Sequence, residues 1–147
     1  MQKPKVAILG YARTPTGCLQ GDLAEVSATE LGAFAIKGAL SKSTIKAEDI
    51  DEVFMGCVLS AGLKQSPARQ AAIGSGIPVA AGAATINKVC GSGMQSAIFA
   101  NDSIISGTNK LVVAGGMESM TNAPHLVAGA RGGLRTGHKV LKDHMFL

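Results

Sequence analysis

Tryptophan is absent from this 147-residue chain, and one tyrosine and four phenylalanines are its only aromatic side chains. With so few large rings, small residues must do much of the packing, and the 19 glycines let backbones approach one another or a ligand closely. The same scarcity argues against nucleic acid as the reason for a net charge of +4. The basic residues are scattered, and few rings stand near them to stack on bases. A small anionic ligand suits that charge better. Cysteine is sparse too: Cys18, Cys57 and Cys90 lie far apart, without CxxC spacing or the density of a disulfide scaffold. That favours a reducing cytoplasm.

Long apolar runs are also missing. Residues 70–87 carry no charge, but Gly74, Gly76, Pro78 and Gly82 interrupt them, and a spanning helix needs about 20 predominantly apolar residues. No membrane span is expected. The opening "MQKPKVAILGYARTP" sets lysines before an apolar run, yet Arg13 and Pro15 cut it too early for a secretory signal. Val6 to Leu9 reads instead as a first strand buried on both faces.

What is present alternates. Ser27 to Glu30 reads S-x-x-E, a capping box, and Leu31, Phe34, Ala35, Gly38 and Ala39 recur at helical spacing up to about Ser41. After the polar "KAEDID", Val53 to Leu59 gives a second strand. Ser66 and Pro67 supply an N-cap and a first-position proline for a helix that Gly74 or Gly76 would stop. Ala84 to Val89 makes a third strand. From Gly91 the positions Met94, Ala97, Ile98 and Ile105 share one helical face, with Gly107 as terminator, and "KLVVAGG" is the fourth strand. This order predicts right-handed crossovers and a layered α/β domain, its sheet largely parallel and its helices on both faces. Beyond Thr121 the pattern dissolves into glycine and basic residues with no clear strand.

Cys90 stands where the third strand hands over to the next helix, the edge at which parallel sheets bind ligands. The first helical turn leaves N–H groups unpaired and carries partial positive charge, which favours a thiolate. Between Val53 and Asn101 there is no Asp or Glu to oppose it; the only charges are Lys64, Arg69 and Lys88. Gly91, Ser92 and Gly93 would let a bulky ligand approach, and the same N–H groups could hold an oxyanion. Against this stands packing as a small hydrophobe, the fate of most free cysteines; for Cys57, inside an apolar strand, and Cys18, in a polar turn, packing or chance is the preferred reading.

Other site types fit poorly. A G-x-S-x-G elbow would need glycine where Lys88 stands, and the dinucleotide fingerprint fails at Ser96. His125, His138 and His144 are irregularly spaced, with no carboxylate or thiol cluster, so exposed loop histidines are expected and no metal. Arg131, Arg135, Lys139 and Lys142 could face phosphates or water, with a solvated loop the simpler reading. Met117, Ser119 and Met120 could line a thioester pocket or simply pack.

These residues carry a family resemblance. "NKVCGSGMQSA" resembles the active-site segment of thiolases, and "VVAGGMESMTNAPHL" the strand and loop that follow it in their biosynthetic acetyl-CoA acetyltransferase branch. "AILGYARTPTG" and "VFMGCVLSAGLKQSPARQAA" resemble the first two strands, so the likeness spans nearly the whole chain. It implies one half of a duplicated α/β/α/β/α fold, with residues 1–120 as the N-terminal α/β domain and 121–147 as the start of a loop region. It implies joining of two acetyl-CoA molecules into acetoacetyl-CoA, or the thiolytic reverse, through an acyl-cysteine. Cys90 matches the nucleophile, its backbone N–H contributing to the oxyanion hole. Coenzyme A enters as part of the substrate, with no other cofactor and no metal. The full-length assembly would be a cytoplasmic homodimer or homotetramer.

Glycine after Cys90 and the methionine of "GSGM" resemble the biosynthetic branch more than the fatty-acid-degrading one. The family's activating histidine, second cysteine and water-positioning asparagine belong to later segments, so this piece alone is expected to be inactive. A 3-ketoacyl-CoA thiolase, a condensing enzyme dependent on acyl carrier protein, and a non-catalytic fragment or scaffold are the competing readings.

Overall fold

The computed structural model describes residues 5–147. Lys3, one of the lysines before the apolar run, and the first residues of the domain expected over 1–120 lie outside that range.

Three parallel strands form the sheet: β1 (Glu52–Gly56), β2 (Gly82–Ile86) and β3 (Val112–Gly116), in the order β2-β1-β3. Glu52 aligns with Gly82 on one side and Val112 on the other, and Gly56 with Ile86 and Gly116. Three helices cover it: α1 (Ala28–Ser41), α2 (Pro67–Gly74) and α3 (Ser92–Ile105).

Strand alternation assigns the faces. Met55 points with Gly115 toward α1 and α2; Phe54, Gly56 and Gly116 point toward α3, where Phe54 meets Phe99 edge to face at 6.3 Å. The core lies on the first side: Val53, Met55 and Cys57 pack with Ala68, Ala71, Ala72 and Ile77.

The capping box forms as expected. Ser27 Oγ accepts the Glu30 N–H at 3.3 Å, and the Glu30 carboxylate accepts the Ser27 N–H at 2.9 Å. Proline does open α2, but Ser66 makes no side-chain cap and sits at φ 48.

The helix faces differ from the apolar pattern. In α1 the buried residues are Ala28, Gly32, Ala33 and Ile36, while Phe34 is exposed. A Cβ on Gly32 would lie 2.5 Å from the Met117 sulfur and 3.1 Å from the Ala71 Cβ, so only the small-residue stripe fits against α2. In α3 the buried residues are Ser92, Ser96 and Ala100; Met94, Ile98 and Ile105 face outward. The strands beneath α3 end in glycines, and close approach selects small side chains over large apolar ones.

Two strand expectations also change. Val6 to Leu9 is not a strand: residues 5–18 form no regular element, and Ile8 is 87% exposed. The segment lies over α1, where Gly10 abuts the Ala39 carbonyl and Ala12 the Gly38 backbone, and it has no ladder partner among the described residues. Beyond Thr121 there is a small antiparallel pair, β4 (His125–Leu126) with β5 (Lys142–Asp143). With two residues in each strand, no alternation could announce it. No described helix is long and apolar enough to cross a membrane.

Candidate active site

Because β1, β2 and β3 run parallel, their carboxyl ends share one edge, and the segments leaving Gly56, Ile86 and Gly116 emerge together there. Cys90 is on this edge, exposed, two residues ahead of α3. Strand β2 stops at Ile86 rather than running to Val89, so a longer turn presents the thiol.

That turn is tightly hydrogen-bonded. Asn87 Oδ1 accepts the Val89 N–H at 3.1 Å, Gly91 N–H donates to the Lys88 carbonyl at 3.0 Å, and Ser92 N–H donates to the Val89 carbonyl at 3.1 Å. Ser92 Oγ accepts the Lys88 N–H at 2.8 Å and donates to the Val89 carbonyl at 2.6 Å. The Cys90 N–H takes part in none of these bonds. Gly91 is the N-cap of α3 without a side-chain hydrogen bond, so no side chain closes the amino end of the helix at its cap. Lys88 Nζ donates to Gln95 Oε1 at 2.7 Å.

Strand β1 fixes where this turn sits. A Cβ on Gly56 would fall 2.6 Å from the Ser92 carbonyl carbon and 2.7 Å from the Gly93 nitrogen. Backbone therefore packs directly on backbone at the start of α3.

Glu118, which inspection of the sequence passed over, joins the other two strand ends. Its carboxylate accepts the N–H groups of Val58 and Leu59, each at 2.9 Å, and faces Cys57 Sγ at 3.6 Å. This explains why β1 ends at Gly56 rather than Leu59. Burial, and then the negative charge and hydrogen bond of Glu118, push the Cys57 thiol up to about 12. Cys57 is thus a protonated packing thiol and Cys90 an exposed one. An acidic residue two positions after an apolar strand was the available signal for Glu118. Ser92 carried none, since its role depends on the conformation of the turn.

The remaining candidates scatter. His125, Arg131, Arg135, His138, Lys139 and Lys142 are exposed, and no hydrogen bond among the described residues ties them to the Cys90 turn. His144 is half-buried, not an exposed loop histidine: its Nε2 accepts the Ala61 N–H at 3.3 Å, while its buried Nδ1 has no hydrogen-bond partner among the described residues. Met117 packs into the core beside Gly32, and Met120 is exposed. Ser119 Oγ accepts from Asn122 Nδ2 at 2.9 Å. No group of His, Cys, Asp and Glu among the described residues could hold a metal ion.

Residues 6–147 match the family described as thiolase, N-terminal domain. The chain belongs to the thiolase family. The cytosolic acetyl-CoA acetyltransferase of Gibberella zeae is 49% identical over 140 residues, covering 95% of this chain and 35% of that relative. The acetyl-CoA acetyltransferase of Cupriavidus necator is 49% identical over 142 residues, or 97% of this chain and 36% of its own length. A crystal structure of a thiolase from Ascaris suum in complex with coenzyme A superposes with a TM-score of 0.89 at 41% identity, covering 94% of this chain and 36% of that one. This thiolase chain therefore spans about a third of the length of the relatives it matches.

Proposed function

We propose that this chain is the part of an acetyl-CoA acetyltransferase that carries the nucleophile, and that Cys90 is that nucleophile. The Cys90 thiolate attacks the carbonyl carbon of acetyl-CoA. The tetrahedral oxyanion collapses, the carbon–sulfur bond to coenzyme A breaks, and the CoA thiolate leaves with its electron pair. An acetyl-cysteine remains, and its carbonyl stays electrophilic. The α-carbon of a second acetyl-CoA, having lost a proton to a base, adds to it, the carbon–sulfur bond to Cys90 breaks with the thiolate leaving, and acetoacetyl-CoA is released, thiolysis being the reverse. The observation that carries this reading is the exposed Cys90 thiol on the carboxyl edge of a parallel sheet, beside a backbone N–H that its own turn does not use.

The relatives' names support acetyl transfer over the longer-chain thiolase reading. A cytoplasmic location is supported by the cytosolic Gibberella zeae relative, and a homodimer or homotetramer belongs to the same proposal. Coenzyme A arrives with the substrate, and no separate cofactor is called for.

The test incubates the chain with acetyl-CoA and follows Cys18, Cys57 and Cys90 by peptide mass spectrometry. Acetylation and loss of iodoacetamide reactivity are expected at Cys90 alone, with no sustained thiolysis of acetoacetyl-CoA. Modification at Cys18 equal to that at Cys90 would remove the basis of the proposal.

A further inference from the structure

Val89, immediately before Cys90, has φ 49, in the left-handed region. For a β-branched residue this conformation is strained and persists only where the surroundings enforce it. Here Asn87 Oδ1 holds the Val89 N–H and the Ser92 N–H reaches the Val89 carbonyl, but one side-chain hydroxyl ties the two flanks of Val89 together. Ser92 is 4% exposed, and its Oγ spans Val89, taking the Lys88 N–H on one side and giving its proton to the Val89 carbonyl on the other. Both bonds run backward into the turn, and neither reaches forward to the orphan N–H groups of α3. Ser92 is therefore not a helix cap.

The direction of the Val89 carbonyl has a chemical consequence. In a trans peptide the C=O and the following N–H point opposite ways. With the Val89 carbonyl tied inward to the Ser92 hydroxyl, and to the Ser92 N–H behind it, the Cys90 N–H points the opposite way, away from Ser92.

We infer that Ser92 is a positioning residue for acyl transfer at Cys90: its hydroxyl locks the Val89 turn and so aims the Cys90 N–H at the oxyanion formed during acylation. This rests on the acyl-transfer reading of Cys90. It also separates two reactions of one thiol, because acylation passes through an oxyanion whereas alkylation by iodoacetamide does not.

The experiment measures both rates at Cys90 by peptide mass spectrometry, with p-nitrophenyl thioacetate as a small acyl donor, iodoacetamide as alkylator, and Cys18 as internal reference. Acetyl-CoA is run in parallel. In Ser92→Ala the acylation-to-alkylation ratio is expected to fall by at least about tenfold, given that loss of a single oxyanion donor costs about 10²–10³ in rate. Alkylation itself should stay within about threefold. In Val89→Gly/Ser92→Ala the ratio should return to within about threefold of the parent, since glycine adopts positive φ without the Cβ penalty.

A parent-like ratio in Ser92→Ala overturns the inference, as does equal loss of both rates or a double variant that does not recover. Parent Cys90 acylated by the thioacetate no faster than Cys18 overturns it too. If Ser92→Ala gives no cooperative melt, the double variant decides. Folding with a recovered ratio supports the clamp; failure to fold or to recover overturns it, because a purely packing role is not mended by glycine at position 89. Cys90 that reacts with the thioacetate but not with acetyl-CoA defeats the coenzyme A reading alone, and the Ser92→Ala ratio still decides the clamp.

Discussion

Replacing Gly56 with alanine adds a methyl group where backbone already touches backbone. The new Cβ would stand 2.6 Å from the Ser92 carbonyl carbon and 2.7 Å from both the Gly93 nitrogen and the Ser92 Cβ. Non-bonded carbons rest at about 3.5–4.0 Å, so relief requires about 0.9 Å of movement. Strand β1 is central in the sheet, with Val53 and Met55 buried at 0% and 2% exposure, so the start of α3 must do the moving. Overpacking of this kind costs about 1–3 kcal/mol. At about 2–4 °C per kcal/mol for a chain of this size, the melting midpoint should fall by several degrees. A displacement of about 1 Å at a reacting group can cost on the order of 10²-fold in rate. Acylation of Cys90 by a small thioester should therefore slow at least about tenfold while the fold survives. Thermal denaturation followed by circular dichroism and peptide-resolved acylation measure the two effects. A variant that melts and acylates like the parent would refute the claim that β1 seats the nucleophile's turn.

Other perturbations read the neighbouring contacts. Glu118→Ala removes the acceptor of the Val58 and Leu59 N–H groups, and at about 1.5–3 kcal/mol for each bond to a charged group in full burial, this half-buried site should lose about 2–4 kcal/mol by urea denaturation. The same change lifts the charge that opposes ionisation of Cys57, which should then alkylate faster. Because folding raises the Cys57 pKa from 9.0 to about 12, the stability held by its protonated thiol is complete below pH 9 and drains away as pH rises toward 12. Melting curves in that window should fall more steeply for the parent than for Cys57→Ala. At the other end of the sheet, Asp51 accepts the Leu111 and Lys110 N–H groups, which hold its carboxyl below the usual 3.8. Its contribution is present above pH 3.8 and lost as pH falls through the lower folded value, so Asp51→Asn should flatten the acid limb of stability. Ser27→Ala removes one half of the capping box and should cost about 1 kcal/mol, read in the urea midpoint.

Features written in neighbouring residues were legible before folding. The Ser27 to Glu30 box and the proline at the head of α2 act within one turn, so their chemistry is complete in a few letters. The strand, helix and small-residue order around Cys90 likewise placed the thiol at the entry to α3. Which face each helix buries was not legible. Large apolar residues marked one stripe of α1 and α3, but the buried stripes are the small ones, because Gly32 meets Met117 and Ala71 and α3 rests on Gly56 and Gly116. Apolar periodicity reports what a helix would prefer to hide; the surface it meets sets what fits. Val6 to Leu9 has a strand's composition and lacks a strand's partner, and pairing is a property of two segments rather than one.

By itself, then, the sequence determined the order of the elements from α1 to β3, the α/β class and the placement of Cys90 at a strand-to-helix junction, since each depends on local spacing. Only the tertiary structure decided that Cys57 is a buried, protonated thiol beside Glu118, and that the Cys90 turn is clamped through a left-handed Val89 by Ser92. Those outcomes depend on a carboxylate 61 residues from Cys57 and on the packing of a strand end against a helix start, distances along the chain that no local pattern encodes.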